Sequence, residues 1–138
     1  MILVDTCVWL DLLQDDPEWC AWSAARLEWG VQHGGVAIAP VIYAELSVWF
    51  ERIEALDAAL RQLRATFDAL PREALFLAGK AFRLYRARGG TRASVLPDFF
   101  VGAHAAVRGW PVVTRDVARI RGYFSKVALL APETAPDD

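Results

Sequence analysis

The sequence predicts an α/β fold built around a parallel sheet, and three observations carry that prediction. Short apolar runs, of which Ile2-Leu3-Val4 is the purest, have the character of strands buried on both faces. These runs alternate with longer stretches of helical periodicity, the pattern of strand-helix-strand layers. Pro and Gly fall at the joints, with Pro opening helices and Gly closing them.

Taken in order, Ile2-Leu3-Val4 is the first strand, and Asp5-Thr6 opens a helix to about Leu13. Asp16 as N-cap and Pro17 at the first helical position start a second helix, which runs to about Gln32 and ends at Gly34-Gly35. Val36–Ala39 reads as a strand. Pro40 begins a helical stretch that carries Glu45 and continues to about Arg64, followed by a short strand over Thr66–Ala69. Pro71 starts a helix closed by Gly89-Gly90, and Pro97 starts one that carries Asp98 and is closed by Gly109. Val112–Thr114 is a strand, Asp116 caps a short helix, and Val127–Leu130 is the final strand. No repeat or linker interrupts the chain, so residues 1–134 read as one domain and 135–138 as a frayed tail.

The composition narrows the class. The 138 residues are 55% hydrophobic, enough for a core, yet no apolar run approaches the ~20 residues that span a bilayer. The start of the chain has no basic region of a signal peptide, and the two cysteines, Cys7 and Cys20, form neither a zinc pattern nor a disulfide framework. A protein of the reducing cytoplasm, away from membranes, is the expectation. The net charge of −2 conceals an asymmetry: Met1–Gly79 holds 12 acids against 5 Arg, whereas Lys80–Lys126 holds 10 Lys/Arg against 2 acids. For any single Arg a solvated helix face suffices. A basic block of this size points to a polyanionic partner, nucleic acid first.

Four acids stand where the hydrophobic pattern predicts burial: Asp5, Glu45, Asp98 and Asp116. Asp5, Asp98 and Asp116 each have a capping or helix-dipole reading, whereas Glu45, inside an apolar surround, caps nothing. Their placements converge. Asp5 and Asp116 follow strands, where open α/β sheets put their sites, and Glu45 and Asp98 lie early in helices that begin at the same edge. Carboxylates gathered in a small volume raise one another's pKa, and a divalent cation relieves the conflict. Oxygen donors without His or Cys select Mg²⁺ or Mn²⁺ over Zn²⁺.

Asp5-Thr6, Ala44-Glu45-Leu46, the run Pro97-Asp98-Phe99-Phe100-Val101-Gly102-Ala103-His104-Ala105 and Val113-Thr114-Arg115-Asp116 occur in this order and at separations that resemble PIN-domain nucleases. More narrowly, they resemble the VapC toxins of bacterial toxin–antitoxin pairs. The resemblance runs from the first strand to Leu130. It implies a three-layer α/β/α fold with a five-stranded parallel sheet of order 3-2-1-4-5, a Mg²⁺/Mn²⁺ site, RNA endonuclease activity and a cognate antitoxin. It assigns the four family acids to Asp5, Glu45, Asp98 and Asp116, and supporting hydroxyls to Thr6 and Thr114. Asp5, Asp98 and Asp116 are the expected metal ligands, and Glu45 is a ligand or the group that holds the attacking water. Some PIN nucleases carry a further acid shortly after the last one, but here Val117-Ala118-Arg119 supplies none, which leaves a second metal open.

Arg115, between Thr114 and Asp116, is the expected phosphate contact, with Arg83, Arg86, Arg88 and Arg92 as candidates for tracking an RNA backbone. His104 reads as a hydrogen-bonded core residue, His33 as a helix-end residue, Cys7 and Cys20 as packing residues, and Asp11 as solvent-facing. Among six tryptophans, part of the set Trp9, Trp19, Trp22 and Trp49 is expected at an interface, with the antitoxin or with a second copy in a homodimer. Other classes fit less well. A PIN-like binding module without significant nuclease activity conflicts with the intact acidic quartet. A phospho-accepting receiver needs an acidic pair after the first strand and a Lys beyond the last, and a haloacid-dehalogenase-type phosphatase needs Asp-x-Asp where this chain has Asp5-Thr6-Cys7.

Overall fold

Ile2, Leu3 and Val4 lose essentially all exposure to solvent, and that burial makes them the centre of the sheet rather than its edge. The computed structural model describes residues 1–132. In chain order its elements are β1 (Ile2–Val4), α1 (Thr6–Leu13), α2 (Cys20–Gln32), β2 (Val36–Ile38), α3 (Pro40–Ser47), α4 (Ile53–Gln62), β3 (Ala65–Phe67), α5 (Arg72–Ala87), α6 (Pro97–Arg108), β4 (Val112–Val113), α7 (Ala118–Tyr123) and β5 (Leu129–Leu130). The expected tail, 135–138, lies outside the described residues.

The five strands lie in the order β3-β2-β1-β4-β5, all parallel, as expected. Leu3 is opposite Ala37 on one side and Val112 on the other, so β1 is the axis of the sheet. The chain proceeds from β1 through β2 to β3 in one direction and then returns to place β4 on the far side of β1. That reversal makes the carboxyl ends of β1 and β4 the switch point of the sheet. Helix α5 packs along α6, α1 along α2, and α3 touches both α1 and α6. One continuous core results, from Ile2 and Trp9 to Phe99 and Phe124.

Two glycines permit close layering. A Cβ on Gly102 of α6 would stand 2.3 Å from the Phe124 ring, and one on Gly30 of α2 would stand 2.4 Å from Ile2. Helix α6 ends as the sequence indicates, with Gly109 in the left-handed region at φ 73°.

Several expectations need correction. The stretch from Pro40 to Arg64 is two helices, α3 and α4, separated by a turn over residues 48–52. Ser47 bonds its hydroxyl back to the Ala44 carbonyl at the break. Helix α2 begins at Cys20 rather than Pro17, because the Asp16 carboxylate first takes the Glu18 and Trp19 amides in a turn. Asp116 does not cap α7: Val117 holds the cap position, without a side-chain bond. Asp11 is not solvent-facing but 3% exposed, since it follows Val8 by three residues and shares its buried helix face.

Candidate metal centre

Each of the four acids is positioned by backbone before its side chain makes any contact. Asp5 is the residue after β1, its amide bonded to the Val113 carbonyl at 3.0 Å, so it is tied to β4 as well as to β1. Its carboxylate caps α1 through the Thr6 amide (2.8 Å) and accepts the Thr114 hydroxyl at 2.7 Å. Thr114, fully buried after β4, also accepts the Asp116 amide at 2.9 Å. One hydroxyl therefore sets both Asp5 and the backbone of Asp116. Thr6, at the first position of α1, donates its hydroxyl to Glu45 on α3 at 2.6 Å. Asp98 lies in the first turn of α6, behind Pro97, where the exposed amides of the helix start favour an anion. Its carboxylate accepts from Arg119 at 3.2 Å.

The electrostatics link the acids. Burial pushes the Asp5 carboxyl above its ordinary value, and Glu45 and Asp116 push it further, against the lowering bonds from Thr114 and Thr6. Asp98 is raised by burial first and then by Asp5 and Asp116, with Arg119 opposing. Asp5 and Asp98 are half-buried, but Glu45 and Asp116 are exposed, contrary to the reading of all four as interior. The apolar surround of Glu45 misled because it is itself surface: Val48 is 79% and Trp49 60% exposed.

Among the described residues, no three His, Cys, Asp or Glu side chains stand close enough together to ligate one ion. The donor chemistry nevertheless fits a hard divalent cation, since every candidate donor is a carboxylate oxygen, and Asp5 and Asp98 resist ionisation through burial first and through neighbouring carboxylates second. Cys7 also borders the site, its sulfur 4.0 Å from both the Asp5 carboxylate and the Thr114 hydroxyl. Burial and the Asp5 charge raise its thiol pKa, which keeps it protonated and unreactive.

Arg115, the expected phosphate contact, gives its guanidinium to Asp11 at 2.8 and 3.2 Å and lies 4.9 Å over the Trp19 ring. Arg119 was not singled out by the sequence, yet its side chain and those of Tyr85, Asp98, Asp116, Ala118 and Tyr123 line an open cleft beside the acids. Its signal in the sequence is a base three residues after Asp116, where some PIN nucleases carry a further acid. Of the other arginines, Arg86 bonds the Gly90 and Arg92 carbonyls and braces the segment between α5 and α6, while Arg88 bonds the Gly122 carbonyl and ties the end of α5 to α7.

His104 is a core residue as expected, fully buried with Nε2 2.7 Å from Asp68, which Arg108 also holds at 2.9 Å. His33 sits at the end of α2, its Nδ1 2.7 Å from the Trp29 carbonyl. Trp9 is wholly buried and donates to the Val4 carbonyl at 2.9 Å, while Trp19 and Trp22 are partly buried and Trp49 is exposed. Among the described residues, no helix is long and apolar enough to cross a membrane.

No curated protein matches the chain in sequence. Solved structures do match its fold. The structure of VapBC2 from Rickettsia felis bound to a DNA fragment from its promoter aligns with a TM-score of 0.73 at 16% identity, over 96% of this chain and 100% of that one. FitAcB from Neisseria gonorrhoeae aligns at 0.68 and 20% identity, over 97% and 99%. A toxin–antitoxin complex from Klebsiella pneumoniae aligns at 0.64 and 18%, over 93% and 96%. The PIN domain family matches residues 2–127, nearly the whole of the described chain. With that match and the parallel sheet of order 3-2-1-4-5, the chain belongs to the PIN-domain family.

Proposed function

We propose that this protein is a VapC-like toxin, an endoribonuclease that requires Mg²⁺ or Mn²⁺ and cleaves structured RNA. The observation that carries the reading is the gathering of acids at the switch point: Thr114 ties Asp5 to the turn at Asp116, Thr6 ties Glu45 to the start of α1, and Asp98 is raised by burial first and then by the charges of Asp5 and Asp116. Asp5, Asp98 and Asp116 are the residues that would hold the cation. Bound there, a divalent cation would supply a lowered pKa to a coordinated water and positive charge against that growing on the phosphate. Thr114 holds Asp5 in place and fixes the turn to Asp116. Glu45, exposed and anchored by Thr6, orients the attacking water and takes its proton. In-line attack by that water leaves 5′-phosphate and 3′-hydroxyl ends. The basic block of Lys80–Lys126 attracts the RNA backbone.

Complexes among the fold neighbours support a cognate antitoxin as partner. The exposed apolar side chains Val48, Trp49 and Ile53 offer surface for that partner or for a second copy in a homodimer. Co-expression with a small antitoxin encoded immediately upstream, followed by light scattering, tests both.

One observation favours the second reading, a PIN-like RNA- or protein-binding module without significant nuclease activity: Asp98 is already paired with Arg119. Cleavage of RNA that depends on added Mn²⁺ and stops with EDTA supports the nuclease. Asp98→Asn and Asp5→Ala are expected to abolish it with the fold intact. RNA cut by either variant at the wild-type rate overturns the site assignment.

A further inference from the structure

Arg119 is placed unlike the other arginines around the site. It is the third residue after Asp116 and lies in the first turn of α7. Its guanidinium spends one N–H on Asp98, at 3.2 Å, of the five that an Arg carries. The carbon of the guanidinium lies 5.8 Å from the Tyr85 ring centre and 6.0 Å from that of Phe99. Those rings are packed against each other, 5.6 Å apart, so they form a firm bed for the planar group. The side chain is 40% exposed and borders the cleft that Asp98 and Asp116 also line. Arg115, by contrast, turns one whole edge of its guanidinium, Nε and one terminal nitrogen, onto the buried Asp11 and is not among the residues that line this cleft.

A cleft walled by two carboxylates repels a phosphodiester unless positive charge stands within it. Arg119 is a positive charge fixed at that wall by the protein itself, in a stretch of chain that offers no further acid for a second cation. Taking the nuclease reading as its basis, we propose that Arg119 is a phosphate-binding residue of this site, its guanidinium braced by Asp98 on one edge and presented to the RNA backbone on the other. The pairing with Asp98 is then a resting arrangement that orients the fork, and the remaining N–H donors take the phosphate oxygens.

The test uses the full chain as wild type, Arg119→Gln and Arg119→Lys. Three quantities are compared: calorimetric Mn²⁺ affinity without RNA, binding of a short fluorescent hairpin RNA in EDTA over a salt series, and the division of any cleavage defect between KM and kcat. Arg119→Gln is expected to bind Mn²⁺ at least as tightly as wild type, since a cation leaves Asp98. Its RNA affinity is expected to fall about 10-fold, with the slope of log affinity against log salt shallower by about 0.7 to 1. Its kcat/KM is expected to fall about 10- to 100-fold, and Arg119→Lys, which keeps the charge but not the fork, to recover part of both losses. A wild-type salt slope and RNA affinity in Arg119→Gln, with wild-type RNA cleavage intact, overturn the proposal and leave the nuclease reading standing. Loss of Mn²⁺ affinity in Arg119→Gln without change in the salt slope overturns it too, since Arg119 then only positions Asp98. Wild-type protein that neither binds nor cuts RNA overturns the nuclease reading itself, and the assignment of Arg119 with it.

Discussion

The Thr114 hydroxyl donates to the Asp5 carboxylate at 2.7 Å and accepts the Asp116 amide at 2.9 Å, so one buried oxygen joins two acids 111 positions apart in sequence. Val has nearly the shape of Thr but leaves both partners unsatisfied. Thr114→Val is therefore expected to destabilise the fold by about 1–3 kcal/mol. It should also depress RNA cleavage by more than the change in folded fraction explains. Urea denaturation and single-turnover cleavage check the two effects separately, and unchanged cleavage would remove Thr114 from the site.

The raised carboxyls of Asp5 and Asp98 set the pH dependence of the metal-free protein. A folded-state pKa above the unfolded value means that the folded chain holds its proton more tightly. Stability from these groups is therefore present below the unfolded value, near 3.8, and is lost as pH rises through their raised folded values. Asp68 has the opposite sign. Burial raises it, but the bonds from His104 and Arg108 outweigh burial and hold it below its ordinary value, so its contribution is lost as pH falls through that lowered value. Asp5→Asn, which keeps an acceptor for Thr114 and removes one charge from the cluster, is expected to raise the urea midpoint at pH 7 and to flatten the decline above pH 4. Saturating Mn²⁺ should stabilise wild type, by about 2.7 kcal/mol at 100 times its Kd, and Asp5→Asn much less. Equal Mn²⁺ shifts in the two proteins would argue against Asp5 as a ligand.

Arg115 joins the end of β4 to α1 through Asp11, which also accepts the Ser23 hydroxyl of α2 at 2.8 Å. Asp11 is nearly inaccessible, so removing its cation strands a charge. Arg115→Gln is expected to cost about 2–4 kcal/mol, the range for breaking a largely buried pair, reduced for the partial exposure of the Arg. Arg119→Gln, whose pair with Asp98 is open to solvent, should cost under about 1 kcal/mol. Thermal and urea unfolding of the two variants side by side decide whether the two arginines differ in this way.

The sheet was legible because burial of a parallel strand leaves a plain mark, as in Ile2-Leu3-Val4, and because Pro40, Pro97 and Gly109 punctuate helices for steric reasons that act locally. Where the pattern misled, the cause was tertiary. Asp11 sits on a buried face only because Arg115, 104 residues later, comes to meet it. The apolar neighbours of Glu45 look like core in sequence, and nothing local shows that Val48 and Trp49 face outward. The pairing of Arg119 is hidden for the same reason: its partner Asp98 lies 21 positions earlier, and only the packing of α7 against α6 brings the two together.

Helix α6 carries Asp98 at its start and is seated by Gly102 one turn further on. A Cβ at Gly102 would stand 2.3 Å from Cδ2 and 2.6 Å from Cε2 of Phe124, and Phe124 is itself 6% exposed and has little room to withdraw. Gly102→Ala is therefore expected to destabilise the protein by about 1–3 kcal/mol through overpacking, despite the better helix propensity of Ala. Tilting α6 to relieve the clash would also move Asp98, so Mn²⁺ affinity should fall in the same variant. Phe124→Leu in the Gly102→Ala background frees the colliding ring edge and should recover part of both losses, whereas Phe124→Leu alone opens a void and destabilises. Urea midpoints and Mn²⁺ titration calorimetry on the two single variants and the double variant form the cycle. Additive losses would show that the contact between Gly102 and Phe124 does not set the position of α6.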